Sequence, residues 1–168
     1  MKRVLGIAGW SGSGKTTLVT ALIPALLARG LTVSTLKHAH HNFDVDKPGK
    51  DSYEHRTAGA TEVLVSSANR WALMHENRDG GEAALDDLIA RMSPVDLILV
   101  EGWKTGTHPK IEVYRPSVGK PPLYPDSDSV VAVASDAPLP DFAGPILNIN
   151  DIETVADFIV GWRTAEAA

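Results

Sequence analysis

Cysteine is absent from the chain, which excludes disulfides and thiolate metal sites and fits a reducing, cytoplasmic setting. No apolar run reaches the roughly 18 residues of a membrane span, and no charged-then-apolar leader precedes the first strand-like segment. The sequence therefore reads as neither membrane-spanning nor exported. Basic charge is scarce: 16 Lys and Arg against 21 Asp and Glu leave a net charge of -5. Broad nucleic-acid binding requires a basic face, so that class of function is disfavoured. Basic residues do gather locally, at Lys15, Lys37, Lys47, Lys50 and Lys104, a distribution suited to a small polyanion. Repeats, low-complexity segments and interdomain linkers are also missing, so residues 1–168 read as one domain able to bury about two thirds of its unfolded surface.

Apolar runs alternate with helical patterns, the signature of an α/β fold with a mainly parallel sheet. Strands are expected near Arg3–Ala8, Thr32–Lys37, Glu62–Val65, Trp71–His75, Leu97–Val100, Lys110–Tyr114, Val130–Ala134 and Ile146–Asn148. Helices are expected near Lys15–Arg29, Asp51–Ala58, Gly81–Met92 and Asp151–Thr164. Gly30 is placed to end the first helix and Asp151 to cap the last. Pro24 is a misfit that should bend its helix. His38–Lys50 and the proline-rich Arg115–Asp128 read as long loops, which in compact domains are often functional. Lys110–Tyr114 is expected to be an edge strand and a dimer seam.

Between the first strand and the first helix lies Gly9-Trp10-Ser11-Gly12-Ser13-Gly14-Lys15-Thr16, the G-x-x-x-x-G-K-[ST] phosphate-binding loop. A glycine-rich turn can aim successive backbone N–H groups at one phosphate. Gly9, Gly12 and Gly14 permit the backbone angles, and Lys15 supplies charge to the β- and γ-phosphates. The Thr16 hydroxyl is a magnesium ligand, and Ser11, Ser13 and Thr17 belong to the same nucleotide-binding set. A nucleoside triphosphate is the expected ligand.

A second acid must complete the magnesium site, and Asp96 and Glu101 flank the apolar run 97–100. They are about 16 Å apart along an extended strand. Ligands of α/β sheets bind beyond the carboxyl ends of the strands, so Glu101 is the candidate and Asp96 a strand-start residue. The loop after the strand at Thr32–Lys37 carries His38, His40, His41, Asp44, Asp46 and Asp51. Imidazole and carboxylate there could hold a transition metal, but magnesium or phosphate chemistry is the favoured reading. Asp46 or Asp44 would reach magnesium through water, and Lys47 or Lys50 would reach phosphate.

Four segments together resemble the molybdopterin-guanine dinucleotide biosynthesis protein B family. They are the phosphate-binding loop through Thr17; Leu36-Lys37-His38-Ala39-His40-His41 with Asp44 and Asp46; Pro48-Gly49-Lys50-Asp51-Ser52 with Arg56 and Ala58-Gly59-Ala60; and Val100-Glu101-Gly102-Trp103-Lys104. Trp103 stands where Phe is expected, and His55 where an aliphatic residue is expected. The resemblance implies a P-loop NTPase fold related to nitrogenase iron protein and dethiobiotin synthetase. It implies a homodimer that binds Mg2+ and GTP and assists the guanylyltransferase joining molybdopterin to GMP. It also implies slow GTP hydrolysis, with Lys15 and Glu101 as catalytic residues. No arginine finger is evident, and P-loop NTPases lacking one turn over at about 10⁻⁴ to 10⁻³ s⁻¹.

The usual guanine-reading Asn-Lys-x-Asp is absent. Asp136, just beyond the strand at Val130–Ala134, could accept from guanine N1–H and N2–H₂, with Asn148 or Asn150 as a second candidate. Two other functions compete. A small-molecule kinase needs an arginine-bearing lid, and Arg115 is the only arginine in the proline-rich loop. A GTP-driven metallochaperone is kept open by His38, His40 and His41.

Overall fold

A computed structural model describes residues 3–39, 43–78 and 80–165. In chain order it contains β1 (Arg3–Ala8), α1 (Lys15–Ala28), β2 (Val33–Lys37), α2 (Asp51–Thr57), β3 (Glu62–Ser66), β4 (Trp71–His75), α3 (Leu85–Arg91), β5 (Leu97–Glu101), β6 (Lys110–Tyr114), β7 (Val130–Ser135), β8 (Ile146–Asn148) and α4 (Ile152–Ala165). The prolines of the Arg115–Asp128 loop start two short 3₁₀ turns, Pro116–Val118 and Tyr124–Asp126. The chain divides into two compact units, Met1–His38 with Pro94–Ala168, and Ala39–Ser93.

The larger unit is built on six strands in the order β2-β5-β1-β6-β7-β8, every neighbouring pair parallel. Every residue of β5 is buried, as in a parallel sheet covered on both faces. β1 sits between β5 and β6 and brings its carboxyl end, with the phosphate-binding loop, to the middle of that edge. Leu18, Leu22 and Leu26 of α1 and Val155 and Ile159 of α4 pack on Leu5, Ile7, Leu99 and Ile111. On the other side, Val130, Val133 and Leu139 pack with Tyr114, Tyr124 and Phe142.

Local chemistry sets the helix ends. Gly30 takes a left-handed φ of 79° after α1, and Leu31 N donates to Leu26 O. Arg29 reaches Glu153 and Asp157 of α4 at 2.8 and 2.6 Å, which ties the two helices together. Asp151 caps α4, accepting from Thr154 N at 3.1 Å and Thr154 Oγ1 at 2.7 Å. Pro24 lies inside α1.

In the smaller unit, β3 and β4 form an antiparallel hairpin. Arg56 of α2 binds Asp44 and Asp46, each at 2.9 Å, and its guanidinium lies over the Tyr53 ring. Val63 is the only apolar side chain of this unit that is buried among the described residues. Leu64, Val65, Trp71 and Leu73 are all substantially exposed.

Two expectations change. β6 is an interior strand, hydrogen-bonded to β1 and β7, so it has no free edge for a dimer seam. The helix expected from Gly81 begins only at Leu85, with Asp86 and Asp87 in its first turn, where acids suit the helix dipole.

Candidate functional site

The phosphate-binding loop joins β1 to α1. Gly9, Gly12 and Gly14 have φ values of 139°, 82° and 97°, a region that L side chains rarely adopt. Gly9 is doubly constrained, because a Cβ there would come within 2.4 Å of Val113 O. Ser13 N and Lys15 Nζ both donate to Trp10 O, at 3.2 and 2.7 Å. Ser13 is buried beneath the loop, whereas Ser11 is exposed. The N-cap of α1 is Gly14, with no side-chain cap and no acid in the first turn. The first amides of a helix have no intrahelical acceptor, so here they are available to an anion.

Thr16 Oγ1 donates to Glu101 Oε1 at 2.8 Å, and Lys37 Nζ lies 2.5 Å from the same oxygen. Strand register explains the meeting: Glu101, last in β5, is aligned with Lys37 in β2 and with Ile7 in β1. Burial works against ionisation of Glu101. Hydrogen bonds from Lys37 and Thr16, with the charges of Lys37 and Lys15, outweigh it and hold the carboxyl below its ordinary range. Burial also lowers the Lys15 ammonium, Glu101 opposing and the like charges of Lys104 and Lys37 reinforcing the shift. Asp96 lies at the other end of β5, where it accepts from Thr32 N at 2.8 Å and Thr32 Oγ1 at 2.7 Å.

Immediately after Glu101 the backbone is forced at two successive residues. Gly102 has φ 108°, and a Cβ there would press to 2.8 Å from His38 Cβ. Trp103 takes φ 46° and stacks on His38 with ring centres 4.3 Å apart. Left-handed backbone in a bulky residue costs of order 1–3 kcal/mol. Here the stack and the turn hold it beside Glu101.

Beside α1 opens a pocket of about 250 Å³ lined by Gly14, Thr17, Leu18, Arg115, Ile149 and Asn150, among others. At its rim Arg115 Nη1 lies 3.4 Å from Asp136 Oδ2. The space is largely apolar, and the Asp136 carboxylate, the Arg115 guanidinium and Asn150 stand near it. Asn148 Oδ1 accepts from Asn150 N at 3.0 Å and so serves its own turn.

Gly9, Ser11, Gly12, Ser13, Gly14, Lys15, Thr16, Thr17, Glu101 and Asp136 all belong to the larger unit. Asp46 belongs to the smaller one, with its side chain 5% exposed and held by Arg56. His40 and His41 lie outside the described residues. Among the described residues, no three His, Cys, Asp or Glu side chains converge as a metal site would require. Sequence reasoning missed Lys37 as the partner of Glu101, and Arg115 as a pocket residue. The first depends on β2 lying beside β5, which no local pattern encodes.

The family model described as Molybdopterin guanine dinucleotide synthesis protein B matches residues 4–136. The molybdopterin-guanine dinucleotide biosynthesis adapter protein of Escherichia coli (strain K12) is 52% identical over 162 residues, 95% of this chain and 92% of that protein. The protein of the same name from Haemophilus influenzae is 45% identical, over 95% of this chain and 88% of its own length. A crystal structure of molybdopterin-guanine biosynthesis protein B superposes with a TM-score of 0.74 and 26% identity, covering 95% of this chain and 99% of that one.

Proposed function

Because this chain belongs to the molybdopterin guanine dinucleotide synthesis protein B family, we propose that it is a GTP-binding adapter in the formation of molybdopterin guanine dinucleotide. In this reading it binds GTP with Mg2+ in the cytoplasm and assists the partner guanylyltransferase, while hydrolysing GTP slowly. The chain acts as one nucleotide-binding domain, the segment between β2 and β5 being an insertion in its sequence. The observation that carries the reading is the meeting of Thr16, Lys37 and Glu101 on one carboxylate oxygen beside the phosphate-binding loop.

Those residues fit the ligand. The uncapped start of α1 and the open space over Gly12, where a Cβ would meet nothing within 4 Å, leave room for phosphate oxygens. Lys15 would bind the β- and γ-phosphates. Thr16 and Glu101, already in contact, would hold magnesium, which when bound supplies positive charge to the phosphate oxygens. Lys37 keeps Glu101 ionised and oriented. The pocket beside α1 would take guanine, with Asp136 accepting from N1–H and N2–H₂. Adenine lacks those donors and would leave the carboxylate unpaired.

The chain acts as a homodimer. Leu64 and Leu73 are cross-strand partners on the hairpin, Trp71 follows along the same face, and all three are exposed. A two-stranded ribbon is marginal alone, and an apolar face of this kind on a second copy would cover it.

Calorimetric titration of GTP and ATP with magnesium present tests the reading. GTP should bind at least a hundredfold more tightly, about 2.7 kcal/mol. Equal or preferred ATP overturns the guanine assignment and returns the kinase to consideration.

A further inference from the structure

Lys110 and Glu112, two residues apart on β6, are both wholly buried, and no ion pair holds either of them among the described residues. Lys110 Nζ instead donates to the carbonyls of Lys104 and Gly106 and to Ser129 Oγ. Glu112 accepts from the backbone of Leu123 at 2.7 Å and Tyr124 at 2.9 Å. Buried charge is costly unless its hydrogen bonds are made, so each residue pins one loop, the first after β5 and the second after β6.

The two pinned loops converge on the side chain of one residue. Lys104 Nζ stands 3.9 Å from the centre of the Trp10 ring and Lys120 Nζ 6.0 Å. Trp10 Nε1 donates to Pro121 O at 2.7 Å, which fixes the ring. The Trp10 backbone serves the phosphate-binding loop, since its carbonyl accepts from Lys15 and Ser13. Among the described residues no carboxylate pairs with Lys104 or Lys120. Two ammonium groups held at one ring without a counter-charge make a preorganised site for an anion.

We propose that Trp10, Lys104 and Lys120 form a second anion subsite, which takes the phosphate monoester of a ligand other than the nucleotide. Lysines bind phosphate as point charges with freely turning donors, and both charges favour a dianion beside the ring. The indole N–H is already committed to Pro121, so charge rather than ring polarity does the recognising. The proposal deepens the nucleotide reading and rests on it for the role of a second ligand. A terminal nucleotide phosphate has the same chemistry, and the experiment separates the two sources.

The probe is phenyl phosphate, titrated calorimetrically into the full chain saturated with magnesium and a non-hydrolysable GTP analogue. It should bind saturably. Lys120→Gln should weaken it at least about tenfold while moving the affinity for the triphosphate analogue less than about threefold. Lys120→Glu alone, at an exposed position, should reproduce the loss. Competition between phenyl phosphate and the triphosphate analogue, or an equal loss of both in the lysine variants, would overturn the subsite by assigning the lysines to the nucleotide. In Lys15→Ala protein phenyl phosphate should still bind. If the unaltered chain binds no nucleotide yet shows lysine-dependent phenyl phosphate binding, the nucleotide reading has failed and the subsite stands.

Discussion

Thr16 Oγ1 and Glu101 Oε1 lie 2.8 Å apart although 85 residues separate them in the chain. The contact exists because β5 lies directly beside β1, so the end of one strand faces the first turn of the helix that follows the other. Glu101→Gln keeps the shape and removes the charge. It should reduce GTP hydrolysis and its magnesium dependence more than nucleotide affinity. Asp96→Asn, at the far end of the same strand, should leave hydrolysis unchanged. It should lower stability by about 0.5–1.5 kcal/mol through its bonds to Thr32. Steady-state phosphate release for both variants checks this, and equal losses of rate would refute the assignment.

Lys15→Ala should weaken GTP binding at least about a hundredfold and leave the circular dichroism spectrum unchanged. Its ammonium meets a loop carbonyl rather than the core. Undiminished affinity would defeat the phosphate-binding reading.

The carboxyls of Glu101 and Glu112 should respond to acid in opposite senses. Glu101 is held below its ordinary 4.5, so the native state binds its proton less readily than the unfolded chain does. The stability it lends is present above pH 4.5 and is lost as pH falls through the native value. Burial raises Glu112 above 4.5, against the pull of the Leu123 and Tyr124 amides. Its ionisation therefore draws stability away as pH rises from 4.5 through the native value. Urea midpoints across that range should show a shallower acid-side loss in Glu101→Gln than in the unaltered chain. In Glu112→Gln the downward contribution with rising pH should be missing.

Leu73→Glu should convert a dimer into a monomer in sedimentation experiments without changing GTP affinity per chain, because it puts a charge into the exposed Leu64–Leu73 pair. A dimer that persists at the same concentration would move the seam elsewhere.

Asp136→Asn should narrow the preference for GTP over ATP by about 10- to 100-fold, read from paired calorimetric titrations. A preference that survives intact would shift base reading to Asn150, which also lines the pocket.

Much of this architecture is written locally in the chain. Five consecutive residues of β5 are hydrophobic or terminal to the run, and all are buried. Gly9, Gly12 and Gly14 announce the loop whose angles they adopt, and Asp151 caps the helix it precedes. What stayed hidden depends on strands meeting at long range. Lys37 reads as one of several local basic residues, and only laying β2 against β5 makes it the partner of Glu101. The sequence of β6, Lys-Ile-Glu-Val-Tyr, alternates charged and apolar residues, the pattern of a strand with one face in water. Lys110 and Glu112 are nevertheless buried, their polar groups satisfied by loop backbone rather than by water or each other. The bond of Asp46 to Arg56 likewise joins residues whose approach needs the loop to fold back.

The wholly parallel sheet also governs the order in which the molecule can come together. No neighbouring pair can be closed by a hairpin, so every pairing waits for a crossover to be completed. Both neighbours of β1 arrive late: β5 begins at Leu97 and β6 at Lys110. As the chain leaves the ribosome, the phosphate-binding loop therefore emerges well before its partner strand. Thr16 cannot meet Glu101 until a further 85 residues have followed. Such distant closures slow folding, and the contact of Glu101 with Thr16 should be among the last to form.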